Sequence, residues 1–113
     1  MRREAKGYLH DVAQAAEMIA QFTSGRTFQD YLEDPMLRAA VERKFEIIGE
    51  ALAQLAKHEA SAAAGIREYR RMIAFRNILV HGYADVDDQL VWDIVESKLA
   101  ELRREVAALL RES

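Results

Sequence analysis

The sequence predicts an all-α protein, an up-and-down bundle of four to five helices. Three observations carry this reading. Apolar residues recur at steps of three and four along most of the chain. Residues that start or stop helices fall between those periodic stretches, and no alternating strand pattern occurs anywhere. One proline and five glycines in 113 residues leave few breaks, so the helices should be long and their connections short.

The first helix is expected from about Arg2 to Thr23, with Leu9, Val12, Ala16, Ile19 and Phe22 forming one stripe. Ser24-Gly25 ends it. Phe28, Tyr31 and Leu32 then lie in a connector that could hold a short turn and plug one end of the bundle. Asp34-Pro35 restarts the chain, with a carboxylate to cap free N–H groups and proline at the first helical position. Leu37, Val41, Phe45, Ile48, Leu52 and Leu55 form the most regular stripe, in a helix running to about Lys57. Gly49 interrupts this helix at a cost of about 1 kcal/mol relative to Ala, which points to close approach by a neighbouring helix.

The segment 58–65 is small and weakly patterned, a loop or a frayed end. A third long helix is expected from about Arg67 to Val80, with Gly82 placed to terminate it. Asp85 can cap a fourth, with Asp87 and Asp88 favourable to the dipole of its first turn. Its stripe is Val91, Val95, Leu99, Leu102, Val106 and Leu109, and Trp92 lies beside it.

The length fits a single domain over 1–113. Nineteen alanines make a thin core, a condition that invites an oligomer. A formal net charge of −3 argues against nucleic-acid binding through bulk positive charge, although a local basic patch could still do it. The absence of cysteine excludes disulfides, thiolate chemistry and Cys-ligated zinc. Asp11, Gln14 and Glu17 interrupt any signal-peptide core after Arg2, Arg3 and Lys6, and no apolar run reaches the length of a membrane span. The expectation is a soluble cytoplasmic protein.

Chemistry concentrates in residues 76–83, Arg-Asn-Ile-Leu-Val-His-Gly-Tyr. Near the end of an apolar helix this segment collects a fixed cation, an amide, an imidazole and a phenol. An Arg followed five residues later by His is a weak signal alone, compatible with a helix-end His bonded to backbone. The longer string, Arg76-Asn77-x-x-Val80-His81-x-Tyr83 followed by Asp87, Val91 and Trp92, resembles the signature of HEPN-domain proteins of the HepT type. Ile47-Ile48-Gly49-Glu50-Ala51 resembles that family's Ile-Gly-Glu-Ala stretch. Leu9, Val12 and the connector from Phe28 to Leu32 fall where the family has its first helix and following turn. The resemblance spans nearly the whole chain.

What it implies is a toxin-type endoribonuclease that cleaves RNA without a metal or other cofactor. It also implies a homodimer whose Arg–His motifs meet at the interface, and a nucleotidyltransferase antitoxin of the MntA type as partner. Arg76 and His81 would be the catalytic pair, with Tyr83 the candidate for adenylylation. Tyr83 could equally pack over the bundle end.

The physical chemistry of RNA cleavage fits those residue types. Attack by the 2′-OH needs a base for that hydroxyl, an acid for the leaving 5′-oxygen and positive charge on the crowded phosphate. An imidazole, with a pKa near about 6.5, serves as base or acid at neutral pH. A guanidinium offers a planar fork that matches phosphate oxygens. Asn77 can hold a phosphate or fix the imidazole tautomer, since it and His81 sit on neighbouring faces at i and i+4. Arg76 and His81 point roughly 140° apart on a regular helix, so they do not share a face unless the helix distorts before Gly82 or the site is shared between subunits.

Arg70 and Arg71 are candidate contacts to the RNA backbone, whereas Arg67 reads as a solvated partner of Glu68. Glu50 either anchors Arg76, orients His81 or stands exposed. His10-Asp11 and His58-Glu59 lack partners at metal-ligand spacing. The competing reading is a non-catalytic helical module that dimerises, binds RNA or nucleotide and docks onto a nucleotidyltransferase.

Overall fold

Capping side chains fix the starts of three of the helices. In the computed structural model, which describes residues 1–82 and 86–112, the helices are α1 (Arg3–Thr23), α2 (Phe28–Glu33), α3 (Pro35–His58), α4 (Ala60–Ala63), α5 (Tyr69–His81), α6 (Asp88–Ser97) and α7 (Leu99–Glu112). The connector after α1 is itself one short helix. The Thr27 hydroxyl accepts from the Asp30 N–H at 3.1 Å while the Asp30 carboxylate accepts from the Thr27 N–H at 2.9 Å, a reciprocal capping box. Asp34 caps α3 as expected, accepting from the Leu37 N–H at 3.0 Å with Pro35 at the first helical position.

Three boundaries depart from expectation. Residues 58–65 contain the single turn α4. Helix α5 starts at Tyr69 rather than Arg67, because the Glu105 carboxylate of α7 takes the Arg67 N–H at 3.2 Å. The last helix is capped by Asp87, whose carboxylate accepts from Gln89 and Leu90 N–H groups; Asp85 lies outside the described residues. That helix also kinks at Lys98 (φ −122°), just after the Ser97 hydroxyl donates back to the Asp93 carbonyl at 2.6 Å. Helices α6 and α7 are therefore two segments along one stripe.

The architecture is a bundle of four rods: α1, α3, α5 and the kinked α6–α7. Helix α3 is its axis, packed against α1 on one side and α5 on the other, while α7 closes against α1. Tyr8 near the start of α1 stacks on His58 at the end of α3, so these two helices run antiparallel. The predicted stripes are buried: Leu9, Val12, Ala16 and Ile19 meet Val41, Phe45, Ile48, Leu52 and Leu55, with Phe45 and Phe75 edge-to-face at 5.3 Å. Phe22, Val95 and Leu109 are half-buried at the margin. Among the described residues no helix is long and apolar enough to cross a membrane.

Tyr31 plugs the bundle end, fully buried and tilted against Trp92 at 5.4 Å. Among the described residues its hydroxyl has no hydrogen-bond partner, and burial pushes the phenol well above the ordinary tyrosine range, with Glu42 and Asp88 adding to the rise. The Glu42 carboxyl is raised for the same leading reason, desolvation, reinforced by Asp88 and Glu46 and partly offset by Arg38. The folded chain thus holds the Glu42 proton more tightly than the unfolded chain does. The resulting stability is present below the ordinary carboxylate range and is lost as pH rises through the folded value. Glu42→Gln should therefore raise the urea midpoint at pH 7 and leave it nearly unchanged at pH 4.

Candidate active site

Gly49 determines how close α5 can come. A Cβ built at this position would lie 2.2 Å from Arg76 Cβ, 2.8 Å from Arg76 Cγ and 3.0 Å from the Met72 carbonyl oxygen. No real side chain tolerates such distances, so the glycine is there because the Arg76 stem lies across it. The close approach anticipated from sequence is made by Arg76 itself.

The next residue on α3 then engages the head group. Glu50 Oε2 accepts from Arg76 Nη2 at 2.5 Å, and Asn77 Oδ1 accepts from Nη1 at 2.8 Å. Of the open alternatives for Glu50, two are found together: it anchors Arg76 and it stands exposed. Among the described residues two of the five guanidinium protons are used, which leaves three for an oxyanion. The pair is only partly shielded, with side chains 31% and 50% exposed for Arg76 and Glu50, so its worth lies in orientation rather than in stability.

Arg76 forms one wall of a groove of about 370 Å³ between α1, α3 and α5. Ile47, Ala51 and Val80 supply apolar surface to this groove, and Tyr8 and Asp11 of α1 and Gln54 of α3 supply polar groups. Sequence reasoning missed this groove, although the α3 positions 43, 47 and 54 recur at helical spacing and are left unburied by the core stripe.

His81 stands elsewhere. Helix α5 runs unbroken through it, so the expected angular separation from Arg76 is kept and His81 is exposed. Gly82 ends the helix as anticipated, but not through a left-handed conformation: its φ is −80°, and its N–H bonds the Ile78 carbonyl at 2.7 Å. A Cβ there would meet that carbonyl oxygen at 2.5 Å. Asn77 and His81 are both exposed, as are Ile78 (46%) and Val80 (39%), large apolar side chains that a lone chain gains nothing by showing to water.

Of the remaining candidates, Arg70 and Arg71 are exposed at the opposite end of α5. Arg70 sits over the Tyr69 ring at 5.2 Å, and Arg71 pairs with Glu68 at 3.9 Å. They are not gathered into the groove. Tyr83 lies outside the described residues. Among the described residues no cluster of three or more His, Asp or Glu is placed to hold a metal ion.

Comparison with known proteins adds an independent line. The family model described as Ribonuclease HepT-like matches residues 12–109. "Probable ribonuclease HepT" of Thermococcus cleftensis is 36% identical over 103 residues, covering 91% of this chain and 93% of that protein. "Putative RNase MJ1380" of Methanocaldococcus jannaschii is 30% identical over 105 residues, covering 93% and 95%. No solved structure gives a significant match.

Gly49→Ala tests the packing on which this site rests. The gain of about 1 kcal/mol in helix propensity should be outweighed by steric conflict with Arg76, for a net loss of about 1–3 kcal/mol in urea denaturation. The Arg76 side-chain NMR signals should shift with it.

Proposed function

This chain belongs to the ribonuclease HepT-like family, and from that premise we propose that it is a metal-independent endoribonuclease acting as the toxin of a toxin–antitoxin pair. The observation that carries the reading is Arg76, held by Glu50 and Asn77 at the wall of a groove, with three guanidinium protons unbonded among the described residues. A phosphodiester seated there is held by charge and directed hydrogen bonds, and the extra negative charge of the pentacoordinate state strengthens both. His81 takes the proton of the 2′-OH as the 2′-oxygen bonds to phosphorus. The bond to the 5′-oxygen breaks as an acid delivers a proton to it, leaving a 2′,3′-cyclic phosphate and a 5′-OH.

A single chain supplies neither the second acid–base group nor an Arg76 and His81 on a common face. A two-fold dimer supplies both, each subunit contributing one Arg and one His to a shared cleft. The exposure of Ile78, between Asn77 and His81 on the outward face of α5, supports burial of that face against a second copy. Arg70 and Arg71 then guide the RNA backbone at the far end of α5. In this reading Tyr83 is the residue that a nucleotidyltransferase antitoxin adenylylates. The added bulk and phosphate next to the motif would exclude RNA.

The test is cleavage of several RNAs, tRNA included, by purified protein in excess EDTA. The parent should cut and leave 2′,3′-cyclic phosphate ends. His81→Ala, exposed and therefore expected to fold normally, should lose about 10²–10⁴-fold in rate. Intact RNA with the parent, its Tyr83 unmodified, would overturn the proposal in favour of a binding module.

A further inference from the structure

We infer that the groove beside Arg76 is a base-recognition subsite, selective for guanine next to the scissile phosphate. This rests on the reading above that RNA phosphate sits on Arg76. A nucleotide held there by its phosphate lies at the wall of the groove and can lower its base onto Ile47, Ala51 and Val80.

The groove combines the two means by which proteins read an unpaired base, an aromatic face and hydrogen-bonding groups aimed at the base edge. Tyr8 is the aromatic face. Its ring is half-buried and braced from behind by the stacked His58 ring, 5.9 Å away at 20°, so little freedom is left to lose on stacking. The polar groups identify the base. Three carboxylates line the groove, and two are engaged: Glu46 with Arg43 at 3.4 Å and Glu50 with Arg76 at 2.5 Å. Among the described residues Asp11 has no ion pair or hydrogen bond, which leaves both of its oxygens as acceptors. The Gln54 amide, likewise without a side-chain partner among the described residues, lines the same stretch.

A carboxylate accepts two parallel N–H bonds. Guanine alone among the RNA bases presents two adjacent donors, N1–H and the N2 amino group, on its Watson–Crick edge. Adenine and cytosine each offer one amino group beside an acceptor nitrogen, and uracil offers one N–H between two carbonyls, so each would turn a lone pair toward Asp11. On guanine the neighbouring O6 needs a donor, which the Gln54 amide supplies. The assignment is therefore Asp11 to N1–H and N2–H, Gln54 to O6, and Tyr8 to the ring face.

Nucleoside 3′-monophosphates have no leaving 5′-oxygen, so their binding to the native chain reads the subsite without catalysis. In an NMR or calorimetric titration, guanosine 3′-monophosphate should bind about tenfold or more tightly than its adenosine, cytidine and uridine counterparts, and should perturb Tyr8 and Gln54. Asp11→Asn, an exposed change on α1, should reduce that preference to within about twofold, by weakening the guanosine analogue and relieving the lone-pair repulsion of the adenosine one. Equal affinity for the four, no measurable binding, or an unaltered preference in Asp11→Asn would overturn the proposal. Mapping cleavage sites separates the two readings. Cleavage with no bias for guanine defeats the subsite and leaves the nuclease intact, whereas guanine-selective binding without cleavage does the reverse.

Discussion

The constraint on which this structure depends is the absence of a side chain at Gly49. Because α3 carries bare backbone there, the stem of Arg76 lies directly across it, and α5 packs at a distance that any larger residue would forbid. The charged end of Arg76 consequently emerges beside the next residue of α3, Glu50, and is tied to it. One missing methyl group thus links the packing of the bundle to the direction of a guanidinium. The helix-propensity cost of a mid-helix glycine, about 1 kcal/mol, is small against that requirement.

The same helix explains why the proposed site calls for more than one chain. Met72, Phe75 and Leu79 bind α5 to the core, Arg76 is turned into the groove, and Asn77, Ile78 and His81 face outward. A regular helix cannot deliver residues 76 and 81 to one point, and α5 is regular over this span. Distortion was one way to reconcile the motif with a single-chain site, and α5 does not take it. We propose a second chain instead, for which the exposed Ile78 offers contact surface beside Asn77 and His81.

The long helices and most of the core are legible in the sequence because helical periodicity is a local property. Leu9, Val12, Ala16 and Ile19, and the six-residue stripe from Leu37 to Leu55, are buried as their spacing predicts. Asp34-Pro35 is legible for the same reason, since cap and helix are adjacent. Less legible are features set at a distance. The start of α5 is set by Glu105, which holds the Arg67 N–H from 38 residues away, and the kink at Lys98 by a serine hydroxyl competing for a carbonyl within an otherwise continuous stripe. The capping box at Thr27 and Asp30 was readable in principle but lay in a segment too short to show a period. At the site, the motif and Glu50 stand out as residue types. The groove does not, because Tyr8, Gln54 and Val80 come from three helices and none is unusual in its own neighbourhood.

The central claim is that one chain orients Arg76 while another must supply the His81 that works with it. Mixing two inactive variants, Arg76→Ala and His81→Ala, after each is shown to be folded and dimeric, tests this most directly. If the cleft is shared, subunit exchange creates dimers that hold one intact Arg76 and one intact His81 from different subunits, and RNA cleavage returns in part, short of the parent rate because the second imidazole is missing. A mixture that exchanges subunits yet stays as inactive as either variant alone would contradict the account.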